Sequence, residues 1–203
     1  MNHFIETVTE YYNKIYDIPL LYSLIVAVVL PFLVIAVGYL ISLIGEAFGA
    51  LFGMITAPVV SYAIINYVFF PGVMIHELAH ASLAVLTGAK VTEVALFKKD
   101  GDSLGHVNFR NRGNILVVAL QDIFISSAPM FVGAAVVYGC VHWIMILPHS
   151  LLWLKIILGY LGVAMFFHMT MSVPDIKVYI KGVPLFIVII FIVTVILRLT
   201  GII

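Results

Sequence analysis

Charged positions form a few islands in a long apolar background. No charged side chain lies between Asp17 and Glu46. A helix needs about 20 residues to cross a hydrocarbon core of about 30 Å, so 18–45 is expected to be a membrane span. Pro31 inside it is tolerated in a membrane helix and predicts a kink. A second charge-free run begins at Ala47 and reaches Ile75, and its apolar character continues to Gly88. That length exceeds one straight crossing and falls short of two comfortable ones. Pro71-Gly72 interrupts it, because proline removes a backbone donor and clashes with the preceding turn. Two arrangements satisfy the 47–88 pattern: separate spans over 47–70 and 72–88, or one long helix bent at Pro71 with an interfacial piece before it.

Polar residues gather only over 90–113. Val91-Thr92-Glu93-Val94-Ala95-Leu96-Phe97 is rich in strand formers, Asp100-Gly101-Asp102 supplies a turn, and Leu104 to Phe109 returns as the partner strand. A short β-hairpin is expected. Lys90, Lys98, Lys99, Arg110 and Arg112 adjoin membrane segments, which assigns this loop to the cytoplasmic side. Beyond it, 114–147 is apolar with Asp122 as its one charge, 150–171 is another span, and 183–203 is the last. Lys177 and Lys181 then fall on the same side as the loop, if each intervening segment crosses once. The expected architecture is an all-α polytopic membrane protein, a bundle of five to six transmembrane helices with a short β-hairpin. It forms a single domain over 1–203, with no internal repeat. Met1 to about Asp17 lacks a basic region followed by a small-residue cleavage site and reads as an amphipathic lead-in.

Composition strengthens the membrane reading. Of the 203 residues, 64% are hydrophobic and 10% charged, against about 45–50% and about 25% in soluble domains. The lipid bilayer is therefore the expected surrounding. Lys+Arg and Asp+Glu both number 10, so charge predicts no nucleic-acid partner. Cys140 is the only cysteine, which excludes an internal disulfide and a cysteine-based zinc site.

Chemistry enters at His76-Glu77-Leu78-Ala79-His80. On a helix the two histidines lie one turn apart on the same face, so both imidazoles can reach one metal ion. Glu77 stands beside them, placed to handle a proton. Three fixed residues are a weak pattern, but ionisable groups at membrane depth are costly and mark function. A catalytic zinc site typically has three protein ligands and an open position. Asp122, Cys140, His142, His168 and Asp175 are the third-ligand candidates in apolar surroundings. Depth selects Asp175. His80 lies ten residues before Lys90, about 15 Å along a helix, and Asp175 lies six before Lys181, about 9 Å. Pro174 disfavours helix at Val173 and makes a break where a carboxylate can turn inward. Asp122 is expected to hydrogen-bond a neighbouring helix through Gln121 or Ser126, and His106 to sit in a solvated hairpin. His142 and His149 read as interfacial, and Trp143 and Trp153 as belt anchors.

His76-Glu77-Leu78-Ala79-His80, the hairpin-like loop after it and Ser172-Val173-Pro174-Asp175 in a late span together resemble the site-2 protease family of intramembrane zinc metalloproteases. Pro71-Gly72 and the Ser172-x-x-Asp175-x-Lys177 pattern look like a compact prokaryotic branch. The resemblance covers roughly 70–181. It departs where the family carries Leu-Asp-Gly, since Asp175 is flanked by Pro174 and Ile176, and where the family's glycine-proline pair appears as Ala128-Pro129. The resemblance implies an intramembrane endopeptidase of the cell membrane that cuts membrane-spanning proteins or peptides. Zn2+ would sit on His76, His80 and Asp175, with Glu77 as general base. His168, close to where the family carries an asparagine, is the candidate to stabilise the tetrahedral oxyanion. The 91–109 hairpin would hold the unwound substrate as an added strand. The same buried His/Asp cluster suits a membrane metal or proton transporter, or a catalytically silent scaffold. Glu77 discriminates, since neither alternative has much need of a carboxylate beside both histidines.

Overall fold

The computed structural model describes residues 2–16, 18–55, 57, 60, 63–96 and 104–203. Helices dominate it: α1 (Asn2–Tyr16), α2 (Pro19–Ile55), a π-helical turn (Ile64–Val68), α3 (Phe70–Leu86), α4 (Ile115–Ile146), a 3-10 turn (His149–Leu151), α5 (Leu152–His168) and α6 (Val173–Leu199). Two strands, β1 (Lys90–Ala95) and β2 (His106–Arg110), lie between α3 and α4. Among the described residues, four helical segments are long and apolar enough to cross a membrane: Pro19–Ile55, Ile115–Ile146, His149–His168 and Val173–Leu199. The remaining apolar helix, α3, has 17 residues.

The early apolar runs divide differently from the expectation of a first span over 18–45. Helix α2 continues through Glu46 to Ile55, 37 residues in all, or about 55 Å of helix. A charge makes burial in lipid costly but leaves the backbone hydrogen bonds intact. Glu46 is exposed and accepts from Ser42 Oγ at 3.3 Å, one turn earlier on the same helix. Pro71 does not bend a continuous helix either. Phe69 breaks helical geometry at φ −90°, ψ 26°, and Pro71 occupies the first turn of α3, where its missing N–H has no intrahelical partner to lose.

The chain forms two compact units, Val37–Gly182 and Met1–Ala36 with Val183–Ile203. In the second unit, Ser23, Ala27 and Pro31 are buried at four-residue intervals along α2, one narrow face of small residues and a proline. The Arg198 guanidinium lies 3.8 Å from the centre of the Tyr16 ring and 5.2 Å from that of Tyr22, and it donates to the Tyr16 carbonyl.

In Val37–Gly182, Ala84, Ala89 and Ile125 are buried together with Leu83, Val91 and Phe109 packed against them. This joins α3 and the sheet to α4. Gln121, fully buried, donates to the carbonyls of Thr87 (2.9 Å) and Arg112 (3.0 Å) and accepts from the Arg112 N–H (3.0 Å). One amide thus ties the end of α3 and the exit of the sheet to α4. Asp122 accepts from Asn111 Nδ2 at 2.5 Å, and its carbonyl accepts from the Ser126 hydroxyl. Neither is the bond to a neighbouring helix that was expected: Asn111 precedes α4 itself, and Ser126 bonds the Asp122 carbonyl within the same helix. The strands pair antiparallel from Lys90↔Arg110 to Ala95↔His106, with an irregularity between Val91 and Glu93. The turn expected at Asp100-Gly101-Asp102 lies outside the described residues.

Candidate metal centre

Helix α3 carries His76, Glu77 and His80, α5 ends at His168, and Asp175 lies in the first turn of α6. Local sequence sets that last start. The Ser172 N–H donates to Asp175 Oδ2 at 2.8 Å, Ser172 Oγ donates to the same oxygen at 2.5 Å, and the Asp175 N–H reaches Ser172 Oγ at 3.4 Å. This is a capping box, in which two side chains reciprocally satisfy the free donors of a helix N-terminus. The carboxylate that turns toward the histidines is thus oriented by the start of its own helix.

Each histidine is held through Nδ1 by a backbone carbonyl from another element. His76 Nδ1 is 2.6 Å from the His168 carbonyl, and His80 Nδ1 is 2.7 Å from the Ile125 carbonyl. A carbonyl only accepts, so both Nδ1 atoms carry the proton and both Nε2 atoms present lone pairs. Those two Nε2 atoms lie 3.1 Å apart. His80 Nε2 is 3.3 Å from Asp175 Oδ1, and His76 Nε2 is 3.8 Å from Asp175 Oδ2. The three ligating atoms all fall within 4.8 Å of one another. Lone pairs facing each other and a carboxylate repel unless a positive charge is shared among them. The donor set, with its outer nitrogens fixed by carbonyls, fits a divalent ion that takes imidazole and carboxylate ligands.

Two close approaches make this geometry possible. A Cβ added at Gly72 would lie 2.1 Å from the Ala164 carbonyl oxygen and 2.6 Å from His168 Nδ1. Only glycine lets α3 come near enough to the end of α5 for His76 to reach the His168 carbonyl. A Cβ at Gly105 would lie 2.8 Å from Glu77 Cγ, so the residue before β2 rests directly on the buried Glu77. Glu77, His76, His80 and Asp175 line a cleft of about 450 Å³.

The structure gives His168 a second part. Its carbonyl orients His76, and its Nδ1 lies 2.8 Å from the Ala164 carbonyl, to which it donates. Its Nε2 is buried with no hydrogen-bond partner among the described residues. In the neutral ring that nitrogen is an acceptor, so the oxyanion-stabilising role expected for His168 requires a second proton. The other third-ligand candidates stand outside the cluster. Asp122 bonds Asn111, Cys140 lines an apolar cavity, and His142 stacks on Tyr138 with ring centres 6.0 Å apart.

Three cleft residues were not expected. His106, on a largely exposed hairpin and itself half-buried, also lines the cleft, Asn66 reaches it from the π-helical turn, and Ser172 joins it beside Asp175. For Ser172 the signal was present as Ser-x-x-Asp before an apolar run. For Asn66 it was a side-chain amide in a long charge-free stretch, and π-helical turns often occur at functional sites. Neither protein-family models, curated proteins nor solved structures match the chain.

Proposed function

We propose that this protein is an intramembrane zinc endopeptidase of the site-2 protease type, cutting peptide bonds of membrane-spanning substrates. The observation that carries the reading is the convergence of His76 Nε2, His80 Nε2 and the Asp175 carboxylate with Glu77 buried in the same cleft. A transporter or a silent scaffold needs the cluster but not Glu77. We count α3 as a fifth span beside the four long helices and assign the sheet to the cytoplasmic face of the cell membrane. Lys90 and Arg110, paired at one end of the sheet, and Arg112 just beyond it support that orientation.

When bound by His76, His80 and Asp175, Zn2+ supplies a Lewis acid that polarises the scissile carbonyl and makes water acidic near neutral pH. Glu77 accepts the proton of the attacking water and returns it to the leaving amine as the C–N bond breaks. Asp175, held by Ser172, keeps its negative charge beside the two histidines. His168 serves through its carbonyl, which orients His76; as a neutral ring its Nε2 has no proton to offer an oxyanion. A membrane helix must unwind before its backbone can be attacked, and β2 borders the cleft as a strand against which the unwound segment can lie.

Purified protein should carry about one zinc per chain and cut a membrane-spanning reporter. Glu77→Gln should keep the zinc and lose the cleavage. Cleavage that survives this exchange overturns the mechanism. Zinc that survives Asp175→Ala removes only Asp175 from the ligand set.

A further inference from the structure

A second cavity, of about 520 Å³, is walled by α2 (Phe48, Phe52), the π-helical turn (Ile65), α4 (Ile144) and α5 (Leu158, Val163). Among the described residues no side-chain nitrogen or oxygen lines it, and its one side-chain heteroatom is Cys140 Sγ. Water needs several polar partners to occupy a hollow and finds none here. Left empty, the walls forgo the dispersion contacts of a packed interior. The volume falls within the range of small-molecule sites, about 300–1,000 Å³. The chemistry that suits such a lining is hydrocarbon.

Two observations say that the space is kept open, and onto what. Gly159 of α5 lines the cavity, and a Cβ added there would meet nothing within 4 Å. Glycine weakens a helix relative to alanine. Close packing accounts for Gly72 and Gly133, whose added Cβ would lie 2.1 Å from the Ala164 carbonyl oxygen and 2.3 Å from Met169 Cβ. No neighbour accounts for Gly159, and what its missing side chain leaves is room. The second observation is the rim. Phe48, Phe52, Val141 and Val163 are about half exposed, on three helical segments long and apolar enough to cross a membrane. The mouth is therefore continuous with the surface that those helices present to lipid.

We propose that this cavity holds one acyl chain of a bilayer lipid, inserted sideways between α2, α4 and α5. In a bilayer the chain is the solvent, so no transfer out of water drives it. Its gain is contact with walls that do not reach one another. The lining offers a headgroup no partner, so selection is by the shape of the chain. One wall is Phe167, edge-to-face with Phe48 at 6.3 Å and stacked on Phe69, the residue before α3. The chain thus packs against a side chain that also lines the cleft around His76, Glu77 and His80. The inference rests on the membrane reading and stands whether or not the cleft hydrolyses peptides.

The test places the full chain in nanodiscs of a phosphatidylcholine that carries a photoactivatable diazirine on one acyl chain, and locates the label by peptide mass spectrometry. Label should be stronger on Leu158 and Ile144, which are half-buried, than on Val188 and Ile192 of α6, which are 48% and 51% exposed. Gly159→Leu, which fills the space from α5, should remove the label from Leu158 and Ile144 and leave that on Val188 and Ile192. Label spread in proportion to exposure overturns the proposal, and so does an unchanged pattern in Gly159→Leu. If Gly159→Leu does not fold, Val163→Trp at the rim replaces it, with the same two outcomes. Other occupants have their own signatures. Loss of the Leu158 and Ile144 label on adding a membrane-spanning reporter makes the cavity a seat for a substrate helix. Loss only in nanodiscs that hold two copies makes it an interface between chains. Either result overturns the lipid site.

Discussion

The unit Val37–Gly182 contains two cavities of similar size and opposite chemistry. The cleft around His76, Glu77 and His80 measures about 450 Å³ and gathers histidines, carboxylates and the end of a strand. The other measures about 520 Å³ and is lined by Phe48, Phe52, Phe69, Ile144 and Phe166, with Cys140 as its most polar side chain. Phe167 lines both, and its ring stacks on Phe69 at 5.6 Å. The larger cavity is not the chemical one. An apolar hollow costs only the dispersion contacts that its walls forgo. Ionisable groups at that depth are costly and persist where something compensates them. Volume therefore says where helices pack loosely, while converging lone pairs say where a charge is needed.

The largest expected effect tests the chemistry of the cleft. Glu77→Gln should lower kcat by about 10²–10⁴-fold, the usual worth of a general base, while metal analysis still finds the zinc. A smaller change would break the contrast between the cavities at its strongest point. Next is Ser172→Ala, which removes the hydroxyl that donates to Asp175 Oδ2 at 2.5 Å. Outer partners of metal ligands are typically worth about 10–100-fold in metal affinity or activity, so competition with a chelator should show weaker zinc retention.

Two glycines then contrast packing at the two sites. Gly72→Ala forces a Cβ to 2.1 Å from a backbone oxygen, and overpacking of this kind costs about 1–3 kcal/mol. Unfolding in detergent should show the loss, with reduced zinc content if α3 moves away from the His168 carbonyl. Gly159→Ala lies on the lining of the apolar cavity, where an added Cβ meets nothing within 4 Å. It should change stability by no more than about 1 kcal/mol, since alanine is the better helix former, and leave cleavage as it was. Cleavage sensitive to Gly159→Ala would make the apolar cavity part of the working site.

Much of the cluster of His76, His80 and Asp175 was legible because its determinants are local. His76 and His80 share a face by helical period alone. Asp175 followed from its depth relative to the charged ends and from Pro174, and the capping box with Ser172 was written in four consecutive residues. That His106 also lines the cleft was not legible, since a strand's alternation separates its two faces but does not say which face meets a helix packed against it. The α2 boundary was misplaced because Glu46 was treated as an end, although a charge breaks no backbone hydrogen bond.

By itself, the amino-acid sequence determined the long apolar helices, the helix start beside Pro71, the strand-forming stretches and the spacing of the metal-type donors. Each depends on neighbours within about one or two helical turns or on the cost of charge in lipid. Tertiary structure alone decided which proton each histidine keeps, since the fixing carbonyls of His168 and Ile125 lie 92 and 45 residues away. Backbone acceptors carry no residue identity, so no motif announces them. It also decided that Gly72 and Gly105 are close contacts, and that His106 lines the cleft. Those outcomes depend on how closely helices and strand approach, and that is set by packing between distant parts of the chain.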